Sequence, residues 1–144
     1  MKKILCLTLA LLAMLACLTS CNFNIQNAIT DKVTSKEQAE EMMSHLSARR
    51  MTDAVSLMHP EKSDGSQQAL GQIATYLNGR TVKKMDVVGV NFTSSIGNNV
   101  KTSQEQVSYQ VTLSDGAVVY LSTVYVISPV GEGFASFQMV LGVV

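Results

Sequence analysis

The feature that most constrains this chain is a change of hydrophobic period at Asn78-Gly79. Before it, apolar residues recur at helical spacing. Ala39, Met42, Met43 and Leu46 fall at i, i+3, i+4 and i+7. Met51, Ala54, Val55 and Met58 repeat that spacing, as do Leu70, Ile73, Ala74 and Leu77. Each set makes one apolar stripe on a 3.6-residue helix. After Gly79 the period falls to two, the signature of strands. Val88, Val90 and Phe92 alternate with Gly89 and Asn91, and Val107, Tyr109, Val111 and Leu113 alternate with Ser108, Gln110 and Thr112. A block of helices followed by a block of strands joined by short turns defines an α+β class with an antiparallel meander. The expectation is three N-terminal helices packed on a curved four-stranded antiparallel sheet.

Local signals set the boundaries. Thr34 with Glu37, and Ser35 with Gln38, fit a capping box at the start of the first helix. Thr52 fits a cap for the second, with Asp53 in its first turn, and Pro60 is expected to stop that helix after His59. Asn78-Gly79 ends the third. Ser94 to Asn99 reads as a loop, and Asp115-Gly116 is the strongest hairpin signal. Ala117–Ile127 is the expected third strand, Pro129–Gly133 a turn, and Phe134–Val144 the fourth strand.

The last two strands are apolar on both sides. In the third, Val119, Leu121 and Tyr125 point one way while Val118, Tyr120, Val124 and Val126 point the other. Three short helices cover one face of such a sheet. The other is expected to form a broad apolar patch that packs on a partner, most simply a second copy, giving a homodimer through the sheet face.

Upstream of the domain lies a different pattern. Lys2 and Lys3 precede an uncharged, mostly apolar run of 15 residues, Ile4 to Leu18, the anatomy of an export signal. That run falls short of the roughly 20 residues a spanning helix needs. It closes on Leu18-Thr19-Ser20-Cys21, which resembles the bacterial lipobox. The resemblance implies that residues 1–20 are a cleaved signal and that Cys21 becomes the lipidated first residue of a mature lipoprotein. The protein would then sit on the extracytoplasmic side of a cell membrane or outer membrane. Residues 21–34 carry Cys21 and a polar stretch without periodicity, read as a flexible tether. Residues 35–144 form the single domain.

Charge and cysteine usage exclude several function classes. The chain holds 11 basic and 11 acidic residues, and Lys2 and Lys3 leave with the signal, so the mature part is slightly acidic. That argues against nucleic acid as a partner. All three cysteines lie at or before residue 21, so the domain has no thiolate ligand, cysteine nucleophile or internal disulfide.

The order of three helices then a curved antiparallel sheet resembles nuclear transport factor 2-like (cystatin-like) domains. Ala48 to Pro60 resembles their second-helix segment, and Leu77-Asn78-Gly79 the turn into their first long strand. The resemblance implies a cone whose mouth holds a small ligand and whose outer sheet face often dimerises. Enzymes of that superfamily place acids, tyrosines or histidines inside the cone, but no catalytic motif of theirs maps onto this chain.

The chemistry-bearing residues read as follows. Asp115 suits a turn, Asp86 a strand edge, and Glu105 completes the acids beside the tyrosines. Glu41 and His45 are one helical turn apart, with no third ligand at metal-site spacing. His59 is expected at a helix end, near terminal carbonyls, and Arg49-Arg50 is a lone basic pair. Met42, Met58, Tyr76, Tyr109, Tyr120 and Tyr125 are the candidate pocket-lining residues, with Cys21 as the lipidation site. No catalytic residue, metal or cofactor is assigned. The functional expectation is a membrane-anchored, non-enzymatic module binding an envelope protein or small apolar ligand. The alternative is an isomerase- or hydrolase-like enzyme using the cone as its active site.

Overall fold

Three helices precede four strands in the computed structural model, which describes residues 33–140. The signal segment, Cys21 and most of the expected tether lie outside the described residues, as do positions 141–144. The helices are α1 (Lys36–Ser47), α2 (Met51–Ser56) and α3 (Ser63–Leu77). The strands are β1 (Val82–Gly97), β2 (Val100–Leu113), β3 (Val118–Ser128) and β4 (Gly131–Val140). They form one sheet in the order β1-β2-β3-β4, each pair antiparallel. The α+β meander expected from the change of period is the architecture found.

The helical stripes and one sheet face close on each other. Ala39, Met42, Met43 and Leu46 of α1 are fully buried, as is Leu77 of α3. They meet Val107, Tyr109, Val111 and Leu113 of β2, Val119 and Leu121 of β3, and Phe134 and Phe137 of β4. Tyr125 stands edge-on to Phe134, and Phe134 to Phe137, each pair 5.1 Å between centroids. Such edge-to-face contacts add to the burial of area.

Helix ends depart from the expected signals. No capping box forms at α1: Ser35 is the N-cap, yet its side chain makes no cap bond. The donors of Thr34 and Ser35 turn instead to Glu105 of β2, a stronger acceptor because it is charged. At α2 the N-cap is Arg50, and Thr52 lies inside the helix. That helix also ends at Ser56, before the expected His59, because the next residues join the sheet. Met58 forms a parallel bridge with Phe134, whose carbonyl accepts from His59 N–H at 2.9 Å and whose N–H donates to the Leu57 carbonyl at 2.9 Å. The approach is close enough that a Cβ on Gly133 would lie 2.5 Å from the His59 nitrogen. The third helix ends as expected, with Asn78 in the left-handed region at φ 47°.

Two strand boundaries differ as well. Ser94 to Asn99 is not a loop: β1 continues to Gly97, paired through Gly97↔Val100. Only Asn98 and Asn99 turn, at φ 51° and 62°. Two positive φ values suit a tight hairpin, and asparagine adopts them more readily than other non-glycine residues. The β3–β4 turn likewise narrows to Pro129-Val130.

The broad apolar outer face is also corrected. β3 alternates as expected, but its outward neighbours are polar. Tyr120 sits across from Gln110, Ser122 from Ser108, Val124 from Gln106 and Val126 from Gln104. On the β4 side, Ser136 faces Val124 and Gln138 faces Ser122. The apolar row is therefore one strand wide, widened only where Val140 pairs with Tyr120.

Candidate functional site

Glu105 is the one acid buried in the described domain, at 7% exposure. It points inward from β2, under the start of α1. Its Oε2 accepts from Thr34 N–H at 3.1 Å and Thr34 Oγ1 at 3.0 Å. Its Oε1 accepts from Ser35 N–H at 3.0 Å and from Ser35 Oγ. An ionised carboxylate has about four lone-pair sites, and here all are taken. A carboxylate at a helix N-terminus is also favoured by the helix dipole. Four residues along the same face, Tyr109 is fully buried, and its hydroxyl has no hydrogen-bond partner among the described residues. Burial pushes the Tyr109 phenol up to about 12; nearby Ser35 and Thr123 hydroxyls oppose the shift and the Glu105 charge adds to it.

Proton abstraction needs a base with a free lone pair facing a substrate cavity. Glu105 is saturated by its own chain, so the pair ties α1 to the sheet rather than opening a reaction site. Sequence patterning did not single out this latch. The signal available was an acid at an inward position of an alternating strand, two residues before Val107.

The remaining candidates are dispersed. Asp86 lies outward on the edge strand β1, paired with Lys84 at 2.8 Å. Asp115 occupies the β2–β3 turn, where it accepts from Ala117 N–H at 3.0 Å and from Arg80 Nη1 at 2.9 Å. Those bonds, the backbone one first, hold its carboxyl below the usual range. Arg80 was not anticipated. Its Nε and Nη2 donate to the Leu77 and Tyr76 carbonyls, and its guanidinium lies 4.9 Å over the Tyr76 ring, closing the C-terminus of α3. A basic residue just past a helix end is the signal for such closure.

Glu41 and His45 pair at 3.4 Å, and no three His, Cys, Asp or Glu side chains gather to hold a metal ion among the described residues. His59 is not at a helix end but buried. Its Nε2 is 3.0 Å from Ser128 Oγ, which donates on to the Gly131 carbonyl. Arg49 takes the left-handed position after α1, at φ 58°, and Arg50 N–H closes that helix on the His45 carbonyl.

The six candidate lining residues do not converge on one cavity. Met42 and Tyr109 are core, Tyr125 packs on Phe134, and Tyr120 lies on the outer face at 44% exposure. Tyr76 and Met58 instead line grooves at the margin of the sheet. One groove of about 370 Å³ runs between α3 and β4, lined by Ala69, Ile73, Tyr76, Phe137 and Met139 among others. A second, of about 270 Å³, shares Ala69, Phe137 and Gln138 with it and continues toward Met58 and Lys62. On the opposite edge, α1 and β1 enclose a groove of about 560 Å³ that includes Glu40, Ser44, Lys83 and Lys84.

Set against protein-family models, curated proteins and solved structures, the chain matches none of them.

Proposed function

We propose that this protein is a membrane-anchored extracytoplasmic lipoprotein, lipidated at Cys21, whose nuclear transport factor 2-like (cystatin-like) domain is a non-enzymatic binding module for an envelope protein. The observation that carries the binding reading is the groove along α3 and β4. It is apolar at Ile73, Tyr76, Phe137 and Met139, and runs beside the half of β4 that the Leu57–His59 segment leaves uncovered. An extended segment laid there gains main-chain hydrogen bonds from the strand edge and apolar contacts from the groove. The saturated state of Glu105 favours this reading over the isomerase- or hydrolase-like one, because the one buried carboxylate among the described residues has no lone pair left for a substrate proton.

In-cell crosslinking from position 72, on the exposed side of the groove, tests the binding reading. Capture of a discrete envelope partner that is lost with Phe137-side substitutions such as Met139→Glu supports it; unchanged capture by that variant refutes it. Cys21→Ala should release the protein from the membrane fraction and abolish fatty-acid labelling, and persistent labelling refutes the anchor. A homodimer through the outer sheet face is a second reading, favoured by the exposed cluster of Val118, Tyr120 and Val140. Sedimentation of Tyr120→Lys beside the parent chain tests it, since a dimer built there must dissociate.

A further inference from the structure

Five of the nine exposed large apolar residues among the described ones lie at one end of the sheet. Phe92 is 49% exposed, Ile96 76%, Val100 42%, Ile127 45% and Val130 60%. All belong to the β1–β2 hairpin or to the β3–β4 turn region at the same end. There β1 and β2 outrun β3, whose pairing with β2 starts at Ser103↔Ile127. Residues 95–102 therefore project as a two-stranded arm, through Ser95↔Thr102, Ile96↔Lys101 and Gly97↔Val100. Between Phe92 and Glu105 its only charged residue is Lys101.

The same end receives the chain from the N-terminal side. Thr34 and Ser35 are fastened to Glu105, which pairs with Phe92 in the ladder. By the alternation of the pleat, Phe92, Ile96 and Ile127 lie on the face that bears Glu105. The segment from Cys21 thus joins the domain beside the exposed residues, on their face of the sheet.

We infer that this end of the sheet is a lipid-contacting surface, with the Ile96 arm seated in the headgroup region of the bilayer that holds the anchor. The inference rests on the proposed lipidation of Cys21. The lengths agree with it. From Phe92 to the Asn98 turn is six residues of strand, about 20 Å. The 11 residues from Asn22 to Lys32 can reach at most about 38 Å. That reach exceeds the length of the arm, so an anchor at Cys21 lets the arm meet the surface that holds it and raises its effective concentration there. The arm also suits lipid better than a protein partner. Its eight residues fall well short of the roughly 20–30 a side that a stable protein interface uses. Apolar Ile96 and Val100 flank a turn of two asparagines, and Lys101 can keep its ammonium among the headgroups.

The test uses the full-length chain, acylated in a bacterial host and reconstituted into phosphatidylethanolamine–phosphatidylglycerol vesicles that contain a nitroxide-labelled quencher lipid. An environment-sensitive dye is placed at Ile96→Cys or, as control, at Ser114→Cys in the β2–β3 turn at the other end of the sheet. The expected result is a blue shift and loss of emission at 96, with neither at 114. Equal behaviour of the two dyes in protein whose Cys21 carries a fatty-acid label overturns the inference. So does a blue shift at 96 without lipid quenching, which would place residues 22–32 over the arm. A shift that grows with protein-to-lipid ratio and yields 96–96 crosslinks also overturns it, in favour of a second copy. Absence of label at Cys21 refutes the anchor instead, and quenching at 96 in that unacylated protein still reports whether the arm itself meets lipid.

Discussion

Removing the Glu105 carboxylate should detach the start of α1 from the sheet, and its cost follows from the donors left behind. Thr34 is exposed, so its N–H and hydroxyl recover water when the acceptor goes. Ser35 is fully buried and does not. A bond to a charged group contributes about 1.5–3 kcal/mol net, and a stranded buried donor loses a comparable amount. Counting only the two bonds from Ser35, and allowing for the desolvation cost that the carboxylate no longer incurs, Glu105→Ala should destabilise the domain by about 3 kcal/mol. Glu105→Gln retains one carbonyl oxygen. Turned toward Ser35, it keeps the buried pair and presents its amide to Thr34, so about 1 kcal/mol is expected. The measurement is urea unfolding followed by far-ultraviolet circular dichroism, with the slope checked to be unchanged so that the midpoint reports stability. If Glu105→Ala shifts stability by less than about 0.5 kcal/mol, or Glu105→Gln is the worse of the two, the latch does not carry the load assigned to it.

Other substitutions probe the backbone and the charges. Gly133→Ala forces a Cβ against main-chain atoms of Met58 and His59 and should cost about 3 kcal/mol in the same assay. Gly71→Ala, in the middle of α3 with open space around it, should instead stabilise by about 0.5–1 kcal/mol. Tyr109 favours its neutral form in the fold, so its contribution is complete below pH 10 and is lost as pH rises from 10 through about 12. Absorbance titration should show late-ionising tyrosines, since burial raises Tyr125 as well, and Tyr109→Phe should remove the one that ionises together with alkaline unfolding. Asp115 has the opposite sense: its lowered carboxyl stabilises the fold above the ordinary carboxylate range and ceases to do so as pH falls through its folded value. Thermal melts of Asp115→Asn should therefore lose part of the decline seen on acidification.

Periodicity made the layers legible because burial on one face imposes it: the stripe from Ala39 to Leu46 and the alternation from Val107 to Leu113 could be read directly. The contacts that close the domain left no such trace. Glu105 reaches Ser35 across 70 residues, and no local spacing encodes that meeting. The Met58–Phe134 bridge shortened α2 for the same reason: a tertiary strand contact overrode a stretch with helical spacing and a stop signal of its own. The outer face failed differently. Reading one strand at a time showed the apolar side chains of β3, but the patch depends on register, which sets Gln104, Gln106 and Gln110 beside them. Thr34, Ser35 and Thr52 were legible as polar residues near helix starts, not as what they became: the first two bind Glu105 and the third lies inside α2.

The bridge between Met58 and Phe134 also bears on the order in which the domain can be completed. A chain emerges from the ribosome N-terminus first. The helices come out before the strands that bury them. Phe134 and Phe137 stand on β4, so the apolar stripes of α1 and α3 stay uncovered until nearly the whole chain has been made. Each hairpin of the meander can form as it appears, because its contacts are local. The docking of Leu57–His59 on Phe134 spans 76 residues and must come last. A truncation a dozen residues from the C-terminus would then leave a meander of three strands and a helical layer with no closed core between them, a ready substrate for proteases.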